Sequence, residues 1–420
     1  MIPLIRGFKD ILPDETPTWK MIEDTAIALF QSFGFKEIRL PIVEKAELFQ
    51  RSIGETTDIV EKEMYTFPAS KGELVTLRPE ATASVVRAYI QQQLYAKDPV
   101  QKLYTIGPMF RRERPQKGRY RQFYQISAEV FGIDSPYIDA QLIMLAWTLF
   151  ERLGVTGLSM HLNSLGCPAC RPSFKQALTD MLAAGTGELC ADCLRRKDKN
   201  PLRVLDCKVP ACREVVKSAP SMADYLCEDC ARHFSQVQSA LTRQKIPFIL
   251  NPRLVRGLDY YTRTAFEIQT DSLGAQNAIA GGGRYDGLVK ALDGPAQPAI
   301  GFAVGLDRLV ELVNQTMPQK PLCPEIFIAA MGEETQEKAF DWSCALGLAG
   351  IMTETDFSAK SLKALMKRAD RVGAKYVLIA GSQEMETGAL VLRNMNTKEQ
   401  VSVPIDRMVD HIKQYLKDDK

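Results

Sequence analysis

No run of about 18 apolar residues occurs anywhere in the 420-residue chain, so nothing in it reads as a membrane span. Its first residues, M-I-P-L-I-R-G-F-K-D, lack the basic-then-apolar layout of a secretory signal. A cytoplasmic setting is therefore expected, in which the ten cysteines stay mostly reduced. Charge is close to balanced, 53 basic residues against 51 acidic. That balance argues against a general nucleic-acid coat protein, and any RNA partner must be held through local patches. The phosphate-loop pattern G-x-x-x-x-G-K-[ST] is missing, which disfavours that class of ATPase. Three histidines, His161, His233 and His411, are scattered and unpaired, so histidine-based hydrolysis is not expected. Internal repeats and low-complexity segments are also lacking. What remains is enough chain for two or three domains, and a hydrophobic content of 45% can supply each with a core.

Against that neutral background one stretch stands apart. From Gly107 to Gln125 the chain reads G-P-M-F-R-R-E-R-P-Q-K-G-R-Y-R-Q-F-Y-Q. Between Arg111 and Arg121, six Arg or Lys meet a single Glu, a local charge of +5. Charge focused this way is placed for a polyanion, most simply phosphate. The flanks alternate in the strand period, so the basic run is expected at the tip of an antiparallel hairpin turned by Pro115 and Gly118.

The rest of the chain divides by pattern. Residues 16–33 carry helical spacing as far as Gly34, and a strand is expected in F-K-E-I-R-L-P. Residues 79–95 read as a helix opened by Pro79 and Glu80, and 136–153 as another begun by Ser135-Pro136. Eight of the ten cysteines fall between about 160 and 245. Strand-like segments return at 259–268 and 299–304. Pro318, Pro321 and Pro324 mark a linker. Beyond it, strands at 325–330, 375–380 and 388–393 alternate with helices at 334–349, 358–372 and 405–417, the pattern of a small separate α/β domain.

Three further segments carry chemistry. In L-V-R-G-L-D-Y-Y-T-R-T-A-F (254–266), adjacent Tyr260 and Tyr261 would put one ring on each face of a strand, and Arg256 precedes a glycine where backbone can approach a ligand. A-G-G-G-R-Y-D-G (280–287) offers bare backbone to a ligand, or is a plain loop. A-I-G-F-A-V-G-L-D-R-L (299–309) reads as an apolar strand, a break at Gly305, and a helix with Arg308 in its first turn. There, N–H groups and a guanidinium can converge on a nucleotide.

Together these segments resemble the signature motifs of class II aminoacyl-tRNA synthetases. The pair R-G-L-D-Y-Y-T and G-G-G-R-Y-D-G-L is similar to the histidyl-tRNA synthetase family, bacterial type. The likeness runs from R-G-F-K-D-I-L-P at 6–13 to the terminal domain. It implies an α+β fold: a catalytic core on an antiparallel β-sheet with flanking helices, an inserted Cys-rich helical domain, and a C-terminal α/β anticodon-binding domain. The implied boundaries are 1–160 and 246–320 for the core, 161–245 for the insertion and 325–420 for the anticodon domain. G-F-K-E-I-R-L-P (34–41) is similar to the family's dimer-interface motif, which implies a homodimer.

The resemblance also assigns roles. Arg111 and Arg256 would act on the α-phosphate of ATP as the catalytic pair, with Arg256 placed where other class II enzymes use a metal ion. Glu113 would contact adenine, Arg308 would stack on it and reach the γ-phosphate, and Arg119 and Arg121 would help bind the bent triphosphate, with Mg²⁺ on its outer phosphates. Histidine would be held by Glu80, Ala81, Thr82, Gln125, Glu129, Tyr260, Tyr261 and Tyr285, together with Arg111 and Arg256. Gln125 and Glu129, four apart on one strand, face the same side. Such a pocket discriminates strongly enough that no editing domain is needed. Arg114, Gln116 and Lys117 at the hairpin tip would meet the tRNA acceptor end.

Cys167-x₂-Cys170, Cys190-x₂-Cys193, Cys207-x₄-Cys212 and Cys227-x₂-Cys230 form four close pairs. Two tetrahedral Cys₄ zinc sites would use all eight. The pairs can be matched in three ways, sequence does not choose among them, and reduced thiols without metal are the other reading. The rival for the whole chain is a histidine-binding regulatory paralogue of ATP phosphoribosyltransferase without aminoacylation activity. Such proteins generally lack the terminal domain and degrade the ATP-gripping arginines, both of which this chain retains.

Overall fold

The computed structural model describes the chain except residues 55–56, 116–117, 185–188, 274–276, 359 and 419–420. It divides into two compact units, Met1–Gln319 and Lys320–Lys420.

The first unit is built on an eight-stranded sheet. Gln101–Phe110 and Gln122–Phe131 pair antiparallel over their full lengths, as the alternation on either side of the basic run predicts. Ala299–Gly305, Ala278–Arg284, Thr262–Thr270 and Leu158–Ser164 follow in antiparallel order. Two-residue parallel strands, Lys36–Glu37 and Ile249–Leu250, close the edges. The period-2 rule sorts each strand's side chains onto two faces. Ile126, Ala128 and Val130 enter a core with Ile300, Phe302 and Val304, packed under the helices Thr16–Ser32, Pro136–Arg152 and Leu306–Thr316. Gln125, Ser127 and Glu129 take the opposite face, where the site lies.

Two expected elements are shorter than their patterns. Of 35–41 only Lys36–Glu37 joins the sheet; Leu40 and Pro41 present their carbonyls to the Arg78 guanidinium instead, at 3.1 and 3.3 Å. The helix expected over 79–95 runs Thr82–Gln91, because the Glu80 carboxylate accepts from the N–H groups of Thr82 (2.7 Å) and Ala83 (2.8 Å) and so caps it. Left-handed Gln93 (φ 48°) then separates it from one more turn, Leu94–Lys97.

The cysteine-rich segment folds as helices Arg171–Ala184, Ala191–Lys199, Pro210–Lys217 and Glu228–Arg243 around a core of its own. The last of these continues into the main core through Val237 and Leu241. A three-stranded sheet, Val43–Lys45, Leu74–Leu77 and Tyr65–Pro68, lies elsewhere in the unit.

The second unit is a five-stranded mixed sheet. Ile326–Ala330, Tyr376–Ala380 and Ala389–Asn394 fall where the apolar runs predict, with helices Glu333–Leu348, Leu362–Arg371 and Met408–Asp418. Edge strands Thr353–Thr355 and Gln400–Pro404 carry too few apolar residues to announce themselves. Among the described residues no helix is long and apolar enough to cross a membrane.

Candidate active site

Guanidinium groups from three distant stretches of chain line one cavity of ≈ 240 Å³: Arg111 and Arg119 from the hairpin, Arg256 from the loop before Thr262–Thr270, and Arg308 from the helix Leu306–Thr316. Each is aimed by a fixed partner. Arg111 donates through Nε to the Pro79 carbonyl at 2.9 Å, and its guanidinium sits 5.3 Å from the Phe123 ring centroid. Glu113 pairs with Arg119 at 2.7 Å and lies 3.7 Å from Arg111. Arg308 donates to the carbonyls of Gly118 (3.1 Å) and Ala278, tying the helix to the hairpin turn. Arg256 donates to Glu267 Oε2 at 2.8 Å, and its buried Nε has no hydrogen-bond partner among the described residues. Burial, and then the neighbouring Arg119 guanidinium, push the pKa of Arg308 down. Cations crowded together and withdrawn from water at this cost are what a polyphosphate ligand relieves.

Carboxyls stand in and behind the same lining: Glu80 faces the cavity, and Glu129 is buried behind it. Thr82 Oγ1 donates to Glu129 Oε1 at 2.6 Å, and the Tyr285 hydroxyl donates to Glu129 Oε2 at 2.5 Å. Burial pushes the Glu129 carboxyl up to about 8, and burial likewise raises Glu80. Two desolvated carboxyls, one lining the cavity and one just behind it, suit a ligand that brings its own cation, such as an ammonium group. Gln125 lines the same cavity, and its buried Oε1 has no partner among the described residues.

Most of the sequence candidates meet here. Glu80, Thr82, Arg111, Glu113, Arg119, Gln125, Arg256, Tyr260, Tyr261 and Arg308 line the cavity. Glu129, Tyr285 and Ala81 are buried directly behind it, not in its lining. Arg121 does not join them: its guanidinium donates to the carbonyls of Arg6 (3.2 Å) and Glu113 (3.4 Å) and braces the hairpin instead. Arg114 is exposed near the tip, and Gln116 and Lys117 lie outside the described residues.

Two local readings are corrected. Tyr260 and Tyr261 do not straddle a strand. The ladder begins only at Thr262, next to left-handed Arg263 (φ 47°), and both rings pack in one cluster with centroids 4.7 Å apart. The glycine run is not a loop but the strand Ala278–Arg284. A Cβ on Gly282 would stand 2.2 Å from the Gly301 carbonyl, so close packing demands that glycine, and one on Gly281 would stand 2.5 Å from Arg256 Nη1 and push the guanidinium aside. Sequence reasoning passed over Glu267, the anchor of Arg256, and Gly301, whose missing side chain makes room for the Glu129 carboxyl. Glu267 had a signal available, since it is the acidic residue of its strand and alternates toward the same face as Gln125.

The cysteines form two compact sets. Cys167, Cys170, Cys227 and Cys230 make one; Cys190, Cys193, Cys207 and Cys212 make the other; within each set all Sγ atoms lie within 4.8 Å of one another. Of the three matchings open to the sequence, the fold takes the nested one.

An antiparallel sheet carrying a cavity lined by converging arginines and backed by buried carboxyls, flanked by a basic hairpin and a strand–helix joint with its own arginine, defines a class II aminoacyl-tRNA synthetase. The family model described as histidyl-tRNA synthetase matches residues 7–309, and the anticodon binding domain model matches 325–415. The chain is 61% identical to a histidine–tRNA ligase of Desulforapulum autotrophicum, over 98% of this chain and 97% of that one. It is 54% identical to that of Geobacter sulfurreducens, over 96% and 98%. The solved structure of apo S. aureus histidyl-tRNA synthetase superposes with a TM-score of 0.83 at 35% identity, covering 98% of this chain and 99% of that one. The chain belongs to the histidyl-tRNA synthetase family.

Proposed function

We infer that this chain activates L-histidine with ATP and transfers it to the 3′ end of its tRNA. The carrying observation is the single cavity that brings clustered guanidiniums and buried carboxyls together. ATP fits the arginines. Arg111 and Arg256 would grip the α-phosphate, Arg308 the adenine face and γ-phosphate, Arg119 the bent triphosphate, and Glu113 the adenine edge. Histidine fits the carboxyls, its ammonium toward Glu80 and Thr82 and its ring toward Glu129, Tyr261 and Tyr285, with Tyr260 closing the wall and Ala81 behind it. Gln125 has an unpaired acceptor for the same ligand.

In the first step a histidine carboxylate oxygen attacks the α-phosphorus in line and pyrophosphate leaves. Positive charge already fixed around that phosphorus lowers the barrier, and holding both reactants together supplies much of the rest. In the second, the terminal ribose hydroxyl of tRNA attacks the activated carbonyl, its proton is lost, and AMP leaves. Mg²⁺ enters as the Mg-ATP substrate. Glu113 and Glu267, the carboxylates nearest the arginines, are already paired with Arg119 and Arg256.

The same reading gives the terminal unit the anticodon and the exposed Arg114 the acceptor end. It makes the active form a cytoplasmic homodimer. Exposed apolar Ile42, Val43, Phe67 and Leu74 at the three-stranded sheet support a partner surface beside the 34–41 segment. The regulatory-paralogue reading is disfavoured by the intact arginine set and the matched anticodon domain. Charging of histidine tRNA by the purified protein, dependent on both histidine and ATP, tests the assignment; histidine binding with no charging would overturn it.

A further inference from the structure

The established reaction does not use the two cysteine sets, yet their geometry is built. Cys167 and Cys170 sit 3.5 Å apart Sγ to Sγ, Cys167 and Cys227 4.0 Å, and Cys190 and Cys207 3.9 Å. A disulfide needs about 2.05 Å. A tetrahedron of sulfurs around zinc, with Zn–S near 2.3 Å, has edges of about 3.8 Å. Backbone amides turn inward on the sulfurs: Cys227 N–H donates to Cys170 Sγ at 3.1 Å and Cys190 N–H to Cys212 Sγ at 3.2 Å, each linking the two pairs of one set. Three of the four pairs open a helix. Cys190 and Cys227 are N-cap residues with Cys193 and Cys230 in the following turns, and Cys167 and Cys170 immediately precede Arg171–Ala184. Helix N-termini favour thiolate over thiol.

The second observation is what the sets carry. Arg171, the residue after Cys170, donates to the carbonyls of Leu165 (3.2 Å) and Tyr261. Asn200 and Arg203, on the stretch between Cys193 and Cys207, donate to Asp259 Oδ1 at 3.0 and 2.9 Å. Both sets therefore reach the three residues Asp259–Tyr260–Tyr261, two of which line the cavity.

We propose that the insertion binds two zinc ions, one in each nested Cys₄ set, and that the braced insertion is a clamp positioning Asp259–Tyr261 for histidine. The zinc half stands on the cysteines alone; the clamp half rests on the histidine reading above. The outer site closes the base of the insertion. The inner site fixes the turn that presents Asn200 and Arg203. Arg171 and Arg203 are positioning residues and touch no substrate.

Metal analysis of the full-length protein should give two zinc per chain; one or none, or iron in its place, overturns the metal sites. The double variant Cys190→Ser/Cys207→Ser should keep one zinc, because both residues serve one site; loss of both ions overturns the nested matching. Arg203→Ala and Arg171→Lys should keep both ions and raise the histidine KM about tenfold, one charged hydrogen bond's worth, with ATP KM within about twofold. Arg203→Lys, which keeps a donor for Asp259, should recover most of the loss. Arg203 lies at the insertion's edge, so its variant tests the clamp even if Arg171→Lys fails to fold. Unchanged histidine KM in Arg203→Ala overturns the clamp. Two zinc ions in a protein with no histidine-dependent activity would sink the histidine reading while leaving the metal sites standing.

Discussion

Glu129 accepts the Tyr285 hydroxyl at 2.5 Å on one oxygen and Thr82 at 2.6 Å on the other, so both its oxygens are engaged in a place that water does not reach. The pair joins a strand of the basic hairpin to the residue after the glycine strand, 156 positions apart. Burial, working against those two hydrogen bonds, makes Glu129 a proton-holding group behind the cavity.

That placement has a pH signature in the absence of ligand. Folded Glu129 keeps its proton up to about 8, whereas the unfolded chain releases it near the ordinary 4.5. The native state thus binds more protons between those values, and its stability falls as pH rises through them. Glu129→Gln, neutral throughout, removes the slope. Its melting temperature relative to wild type should climb from about pH 5 to about pH 8; parallel curves would contradict the assignment. The same variant should weaken histidine binding by roughly 10- to 100-fold, since an amide, unlike the carboxyl, cannot give up a proton to become the carboxylate that meets a ligand cation.

Gly301 sets the room for that carboxyl. A Cβ there would fall 1.5 Å from Glu129 Oε2 and 2.8 Å from the Ala128 carbonyl. Gly301→Ala should cost about 1–3 kcal/mol in thermal or urea unfolding, as overpacking does, and lose histidine affinity together with stability. Wild-type histidine affinity in a folded Gly301→Ala protein would show that Glu129 has another place to go.

Arg308 is held over the hairpin turn by Gly118 and Ala278, and its charge is already disfavoured by burial and Arg119. Arg308→Ala should lower kcat/KM for ATP by roughly 30-fold or more, about 2 kcal/mol for a lost charged contact, while histidine affinity measured without ATP stays near wild type. An equal loss for both substrates would make the residue a brace for the fold.

Behind the sheet, buried Asp139 gathers Arg284 (2.8 Å), Thr264 (2.6 Å) and His233 (2.8 Å). Asp139→Ala leaves a fully buried arginine short of its counter-ion and should destabilise the first unit by about 3–5 kcal/mol in chemical denaturation. A change under about 1 kcal/mol would mean that Asp286 and the nearby carbonyls satisfy Arg284 alone.

Local pattern made the basic hairpin readable. Ten-residue flanks with period-2 alternation pair as written, and the strand–Gly305–helix joint falls where the apolar run stops. The terminal unit was legible for the same reason, apart from its short polar edges. Gly281–Gly283 misled because glycine signals a loop by propensity, whereas here it marks a strand pressed against Arg256 on one side and Gly301 on the other. Tyr260 and Tyr261 misled because the ladder begins only at Thr262, beside a left-handed residue that no pattern betrays. Arg121 counted as basic charge in the sequence, yet it is consumed by two backbone carbonyls. The cysteine matching depends on which helices meet in space, and spacing along the chain holds no record of that.

The central claim is that the arginines act on the reacting phosphate itself, and Arg256 carries it most directly, with its buried Nε still without a partner among the described residues. Histidine-dependent exchange of pyrophosphate into ATP should proceed in wild type. In Arg256→Ala it should fall by several hundred-fold, roughly 3–4 kcal/mol of transition-state stabilisation, with histidine affinity by calorimetry largely kept. Exchange and affinity lost in equal measure would contradict the account and reduce Arg256 to a strut for Glu267.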